Sequence, residues 1–481
     1  MAGTKDCGSL LDHRRPLVHF HHHNSETEMI EIKDKHITVL GAARSGLGAA
    51  LMLKERGAIV LVSDSSEIAS ISKDRLEAAG IAYEENGHTD QARKADYVAI
   101  SPGVPSDSSI VLEFIARNIP VLSELEWASQ YLDGKITAIT GSNGKTTTTS
   151  WVDDIWKKAG RTHVTAGNIG TALSEHIYTG IPSWTDVILE VSSFQLDHIE
   201  RFRPNVSMLL NITPDHLNRY QYKFENYIAS KFRIFENQGP DDIFIYWADD
   251  PVIRAHIPPF LRPDGPQIWT FSTETAVSRG AWIQDNNIMI TLNGKTDLLM
   301  SIDEISLKGR HNLHNGMAAA LAARANEISD EVIRESLSQF EGVEHRLELV
   351  RILDGVRYIN DSKATNVNAL WYALDSIQTP MVVIMGGRDK GNDYSELFGQ
   401  IREKVHTIVA IGEGKEAIKE QLGGVVINLI EADSMQEAVR AARKASRRGE
   451  VVLLSPACAS FDMFENYEHR GREFKKAVHN L

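Results

Sequence analysis

The stretch ITGSNGKTTTTS, residues 139–150, constrains this chain more than any other. A buried strand over residues 136–140 delivers the chain to a turn at Gly141, and a helix begins around Thr146. A strand feeding a helix through a glycine loop is the unit of a parallel sheet with crossover helices. The loop departs from the P-loop spacing G-x-x-x-x-G-K-[ST], because Ile139 stands five residues before Gly144 where that pattern has glycine. Its physics is intact all the same. Unpaired N–H groups at the helix start favour an anion, and Gly141 and Gly144 permit close backbone approach on either side of Asn143. Lys145 can reach terminal phosphates, and the hydroxyl of Thr146 or Thr147, Thr146 for preference, can ligate Mg²⁺. A plain βα turn with a surface lysine is the competing reading. Thr148 and Thr149 receive no role beyond filling the helix start.

A nucleotide triphosphate needs divalent cations, so carboxylates are expected at nearby strand ends. Glu190 ends the apolar run DVILE, and His216 follows the strand VSMLLNIT. Either alone is weak. Placed after neighbouring strands of one sheet, the two are expected to share an Mg²⁺ site.

The wider pattern is α/β throughout, and three domains are expected. Residues 29–133 open with HITVLGAARSGLGAALMLKERGAIVLVSD, a strand–turn–helix–strand unit of Rossmann-like type. Residues 134–342 form a central P-loop ATPase-like domain that includes a hairpin, AWIQDNNIMITLNG. Residues 343–481 restart the pattern as a second Rossmann-like unit, with strands VRYIND, PMVVIMGG, TIVAIG and EVVLLSP. The linker near Glu341 is the expected hinge.

Composition narrows the partners. A chain of 481 residues with 42% hydrophobic and 24% charged residues is ordinary globular material, too long for a single core. A net charge of −14 argues against nucleic acid or an anionic membrane as the main partner. No apolar run approaches the roughly 18 residues of a membrane span. The two cysteines, Cys7 and Cys458, have no metal-ligand spacing and suit a reducing cytosol, so a cytoplasmic location is expected. Residues 1–28 carry a His-rich tract and read as a tag or leader. With no repeat or coiled coil, a monomer is expected.

Together, GSNGKTTT, AGNIG, LEVSSFQL, NITPDHLNRY, the helix carrying Lys231, HNLHN, VEHRLE, NDSKATN and LLSPACASFDMFENYEHRGREF resemble the Mur ligase family. The resemblance covers nearly the whole chain after the leader, and the last two stretches most resemble the D-glutamate-adding members. It implies a reaction in which ATP phosphorylates the carboxylate of UDP-N-acetylmuramoyl-L-alanine, and the amine of D-glutamate then displaces phosphate from the acyl phosphate. Such chemistry demands charge neutralisation and exclusion of water.

The resemblance also implies roles. Lys145, Thr146 and Glu190 would hold the γ-phosphate and one Mg²⁺, and His216 would help to bind a second. Lys231 would carry a carbamate, although by itself a lysine on such a helix is ordinarily solvated. Asn312 and Asn315, on one helix face, match adenine contacts, and Arg346 and Asp361 match phosphate and ribose contacts. Lys363, Thr365, Ser460, Phe461 and Tyr467 would hold or wall D-glutamate. Arg44, Ser45, Asp64, Ser65 and Ser66 would surround the uridine diphosphate. Ser101, Gly103, Asn168, Ser192 and Gln195 would lie along the rest of the sugar substrate. Two departures, Asn218 where the family often has Asp and Trp247 where Asn is common, are expected to lie away from the ligands. Another ligase of the same family, such as a folylpolyglutamate synthase, is the alternative within the enzyme class. A dehydrogenase using GAARSG is weakened by Ala43, which replaces the glycine that admits a pyrophosphate. A non-catalytic nucleotide switch is disfavoured by the acceptor-pocket matches.

Overall fold

The computed structural model describes residues 29–389 and 391–481. The His-rich leader and Cys7 lie outside the described residues. The first of three sheets comprises β1 (His36–Leu40), β2 (Ile59–Ser63), β3 (Ala82–Glu84), β4 (Tyr97–Ile100) and β5 (Val121–Ser123), all parallel, in the order β3-β2-β1-β4-β5. Chain direction across the sheet reverses at β1, which opens a crevice beyond its carboxyl end. The helix Arg44–Glu55 packs so tightly there that a Cβ on Gly46 would collide with the Gly41 carbonyl. Strand β3, AYE, is short and only partly buried, so it carries no apolar run that would announce it.

The second sheet comprises β6 (Ile136–Thr140), β7 (His163–Gly167), β8 (Asp186–Glu190), β9 (Val206–Leu209), β10 (Ile243–Trp247), β11 (Gln267–Ser272), β12 (Gly280–Gln284), β13 (Asn287–Leu292) and β14 (Lys295–Ser301). Their order is β14-β13-β12-β11-β10-β9-β6-β8-β7, parallel up to β12 and antiparallel beyond. The hairpin read from AWIQDNNIMITLNG is β12–β13, turned by Asp285 and Asn286, whose φ values of 49° and 63° suit a type I′ turn. One expectation is corrected. The strands preceding Glu190 and His216 are not neighbours: β8 and β9 flank β6 on opposite sides. Glu190 is in register with Ile139, beside the start of the glycine loop.

The helix after that loop, Lys145–Lys158, buries Trp151, Val152, Ile155 and Trp156, a spacing that puts one apolar stripe on the sheet. Against it lies the alanine-rich helix Arg310–Ala325, whose small side chains let the two helices approach. The third sheet comprises β15 (Glu348–Leu353), β16 (Val356–Asn360), β17 (Met381–Gly386), β18 (Val405–Ile411), β19 (Asn428–Ala432) and β20 (Val451–Leu454), in the order β15-β16-β20-β17-β18-β19. Only β15 runs antiparallel to its neighbour.

The first two sheets are tied by a buried carboxylate. Glu126, in the helix Glu124–Ser129, accepts backbone N–H bonds of 2.9–3.1 Å from Glu200, Arg201 and Phe202. Among the described residues no helix is long and apolar enough to cross a membrane.

Candidate active site

The loop after β6 gathers positive charge. Lys145 Nζ folds back to donate to the carbonyls of Gly141 at 2.9 Å and Ser142 at 3.0 Å. Lys231 Nζ donates to that same Gly141 carbonyl at 2.8 Å. Lys231 is only 1% exposed, because its helix, Phe224–Phe232, turns Tyr227, Ile228 and Lys231 inward together. Burial and then the charge of Lys145 push the Lys231 amine well below the usual lysine range. Burial likewise lowers Lys145, partly offset by Glu190 and Asp215.

Glu190 faces this cluster from β8. Its carboxylate accepts from Thr146 Oγ1 at 2.7 Å and Asn168 Nδ2 at 2.9 Å. Burial alone would raise its pKa, but the charges of Lys363 and Lys145 and these hydrogen bonds hold it below the usual range. On the other flank His216 sits in the left-handed region, φ 53°, beside Asp215. A non-glycine residue there is uncommon and occurs mostly where the surrounding structure enforces it.

Between the second and third sheets lies a cavity of about 600 Å³. Its wall includes Gly144, Thr147, Trp247, Phe271, His311, His314, Asn315, Arg346 and Asp361. Thr147 Oγ1 and Arg346 Nε are buried with no hydrogen-bond partner, as suits groups awaiting a polar ligand. Asp361 accepts from Ser455 Oγ at 2.8 Å, and burial, opposed by Arg346, raises it to about 6. Asn312 lies one turn before Asn315 and spends its amide on the Lys308 carbonyl at 2.9 Å. Trp247 overturns its expected placement: it walls the cavity, 4.3 Å from the His314 ring. Asn218 lines a neighbouring cleft of about 1240 Å³ with His216, Tyr222 and Thr365.

Lys363 stands at the end of β16, with Nζ 5.0 Å from the Tyr467 ring centroid. Burial first, with Arg346 and Lys145 adding and Glu190 opposing, brings it down to about 8. Ser460 is buried beyond β20, whereas Phe461 is 63% exposed, so in this conformation it stands on the surface. In the first sheet, Arg44, Ser45, Asp64, Ser65, Ser66, Ser101 and Gly103 all follow the carboxyl ends of β1, β2 or β4. Asp64 binds the Ala42 and Ser66 amides at 2.8 and 2.9 Å, and Ser101 Oγ donates to the Gly41 carbonyl at 3.1 Å. Arg44 reaches the Gly170 carbonyl, two residues beyond Asn168. Ser192 and Gln195 form a capping box on the helix Ser193–Leu196; Gln195 Nε2 is buried without a partner.

Comparison with known proteins shows the family. A family model described as the MurD N-terminal domain matches residues 37–110, the Mur ligase middle domain matches 139–323, and the Mur ligase glutamate ligase domain matches 345–458. The UDP-N-acetylmuramoylalanine--D-glutamate ligase of Salinibacter ruber is 47% identical over 457 residues, covering 94% of this chain and 99% of that protein. The enzyme of the same name from Porphyromonas gingivalis is 45% identical over 451 residues, covering 92% and 98%. The chain belongs to the Mur ligase family.

Solved structures share the Mur ligase fold. MurC of Thermotoga maritima gives a TM-score of 0.56 at 18% identity over 93% of this chain and 99% of that one. MurF of the same organism, in complex with ADP, gives 0.57 at 15% over 94% and 96%. The sequence reading of this Mur ligase took the asparagines of HNLHN and passed over His311 and His314, which line the cavity. Their spacing three apart was the available signal. Trp247 ends β10, and a residue at the carboxyl end of a central parallel strand is placed to meet ligand.

Gly144 adopts φ +84°, and a Cβ there would run into Asn315 Oδ1. Gly144→Ala is therefore expected to weaken ADP binding by about five- to thirtyfold, from the left-handed backbone cost of about 1–2 kcal/mol. Calorimetric titration checks this, with circular dichroism confirming the fold.

Proposed function

We propose that this chain is the ATP-dependent ligase that joins D-glutamate to UDP-N-acetylmuramoyl-L-alanine through an acyl phosphate, a step of peptidoglycan precursor synthesis. One observation carries the reading beyond the relatives' names. Glu190, beside the phosphate loop, is held ionised by Lys363 from the third sheet as well as by Lys145. Phosphate-handling and acceptor-handling residues thus feel one another's charge, as a reaction that passes a phosphorylated carboxylate to an amine requires.

In this reading residues 29–133 bind the uridine nucleotide, 134–342 bind ATP, and 343–481 bind the amino acid, with a hinge near Glu341. The three family-model matches fall one within each range. Lys145 and Arg346 neutralise the triphosphate, Thr147 donates to it, and Asp361 accepts from the ribose. Lys363 pairs with a carboxylate of D-glutamate, and Ser460, Thr365 and Tyr467 complete that pocket. Mg²⁺ fits beside Thr146 and Glu190, and a second near His216; when bound it would neutralise the transferring phosphoryl group. The enzyme acts as a monomer in the cytoplasm.

Lys231 is suited to carbamylation. Burial pushes its amine well below the usual lysine range, and the neutral amine is the form that adds CO₂, releasing one proton and becoming an anion. That anion would pair with the neighbouring Lys145 ammonium and give the second Mg²⁺ an oxygen ligand.

Phosphate release should require UDP-N-acetylmuramoyl-L-alanine, ATP, Mg²⁺ and D-glutamate together. Turnover with L-glutamate, meso-diaminopimelate or L-lysine instead would sink the assignment. Lys231→Ala should lose turnover and regain part of it with added short carboxylates; absence of rescue would remove the carbamate. Lys363 must be charged to hold a carboxylate, and its proton is present below about pH 8 and lost above. The kcat/KM for D-glutamate should therefore fall above about pH 8, by up to about tenfold per unit. Lys363→Arg should move that limb to higher pH, since guanidinium keeps its charge. A limb unmoved in the arginine variant would assign it to another group.

A further inference from the structure

The phosphate loop is held from two sides by a row of asparagines. Asn211, just beyond β9, pins the backbone of Asn143 reciprocally: its Oδ1 accepts from Asn143 N at 2.8 Å and its Nδ2 donates to Asn143 O at 3.0 Å. The side chain of Asn143 then donates across to the third sheet's layer, Nδ2 to Asn368 Oδ1 at 2.7 Å, with Thr213 Oγ1 a longer partner at 3.5 Å. Asn368 lies in the first turn of the helix Val367–Ser376. That helix starts at Asn366, whose Oδ1 caps it through Ala369 N at 2.8 Å and whose Nδ2 reaches Asp215 Oδ2 at 3.1 Å.

The position of this contact matters. Asn143 lines the nucleotide cavity and Asn368 lines the neighbouring cleft, so their bond stands on the ridge between the two. The same helix also walls the cavity with Ala369 and Tyr372. A residue of the third sheet's layer therefore fixes the side chain of a phosphate-loop residue whose backbone the central sheet already holds.

We propose that Asn368 is a positioning residue for the phosphate loop, completing an Asn211–Asn143–Asn368 relay that sets the loop's shape for nucleotide when the third sheet is docked on the second. The inference rests on the cavity as the nucleotide site and is independent of which amino acid is ligated. Asn368 touches no phosphate in this scheme; it acts through Asn143. Both partners are half-buried amides, so removing one leaves a group that water can reach, and the fold has little to lose.

The test is a double-mutant cycle on ADP affinity, measured by calorimetry on the full chain with Mg²⁺ and no ligase substrate. Asn368→Ala should weaken ADP about fivefold, the ratio expected of a net hydrogen bond of about 1 kcal/mol. Asn143→Ala should weaken it at least as much, and the double variant no more than Asn143→Ala alone. Thermal midpoints should stay with the parent, and in the ligase assay the ATP KM should rise in Asn368→Ala while the D-glutamate KM does not. Unchanged ADP affinity in Asn368→Ala, or losses that multiply in the double variant, would overturn the relay. Because ADP binding is read without substrate, failure of the relay leaves the D-glutamate assignment standing, and failure of turnover leaves the relay tested.

Discussion

One backbone carbonyl organises the centre of this molecule. Gly141 O receives hydrogen bonds from both Lys145 and Lys231, two groups that repel each other where water is largely excluded. Close like charges in a low-dielectric site are costly unless an anion joins them, or one gives up its proton. Glu190 and Asp215 offset part of the charge on Lys145, and burial pushes the Lys231 amine well below the usual lysine range. With Lys145 beside it, the loop favours a negatively charged ligand. The helix that follows adds its unpaired amides to the same preference.

The three sheets are arranged around that loop. Each presents the carboxyl ends of its parallel strands: β1, β2 and β4 carry the serines and Asp64, β6 and β8 carry the loop and Glu190, and β16 and β20 carry Asp361, Lys363 and Ser460. A parallel sheet leaves its loops at one end, and a reversal of strand order leaves a gap between them. The third sheet has such a place, where β20 lies between β16 and β17. Arg470, wholly buried, fills the space beneath it, donating to Ser362 and to the Cys458 carbonyl, and so fastens the loop after β16 to the loop after β20.

Much of this was legible in the residues. The loop GSNGKT announces itself because glycine and lysine spacing is a local property, and Glu190 follows from a strand that ends on an acid. Long apolar strands such as PMVVIMGG were equally plain. Short β3 and the half-exposed β19 were not, since their stability comes from pairing with β2 and β18 and not from their own burial pattern. The site was legible where chemistry is written in one stretch and obscure where it depends on facing. Lys231 looks solvated on a helical wheel and is buried; Trp247 looks remote and walls the cavity. Neither fact can be had without knowing which side of its element meets the next layer.

Two kinds of group line the cavity, and they bear on how a nucleotide lies in it. Burial, reinforced by Arg346, lowers His311 to about 4, and burial with Arg310 lowers His314 to about 3, so both rings are neutral near pH 7. They stand with Trp247, Phe271 and Tyr372 as flat, uncharged surfaces. Arg346, on the same wall, and Lys145, on the adjoining phosphate loop, supply the charge. Were either histidine protonated, it would compete for the phosphates. Kept neutral, the rings offer stacking, and on the proposed reading the charge of Lys145 turns the triphosphate toward Glu190 and the acceptor carboxylate.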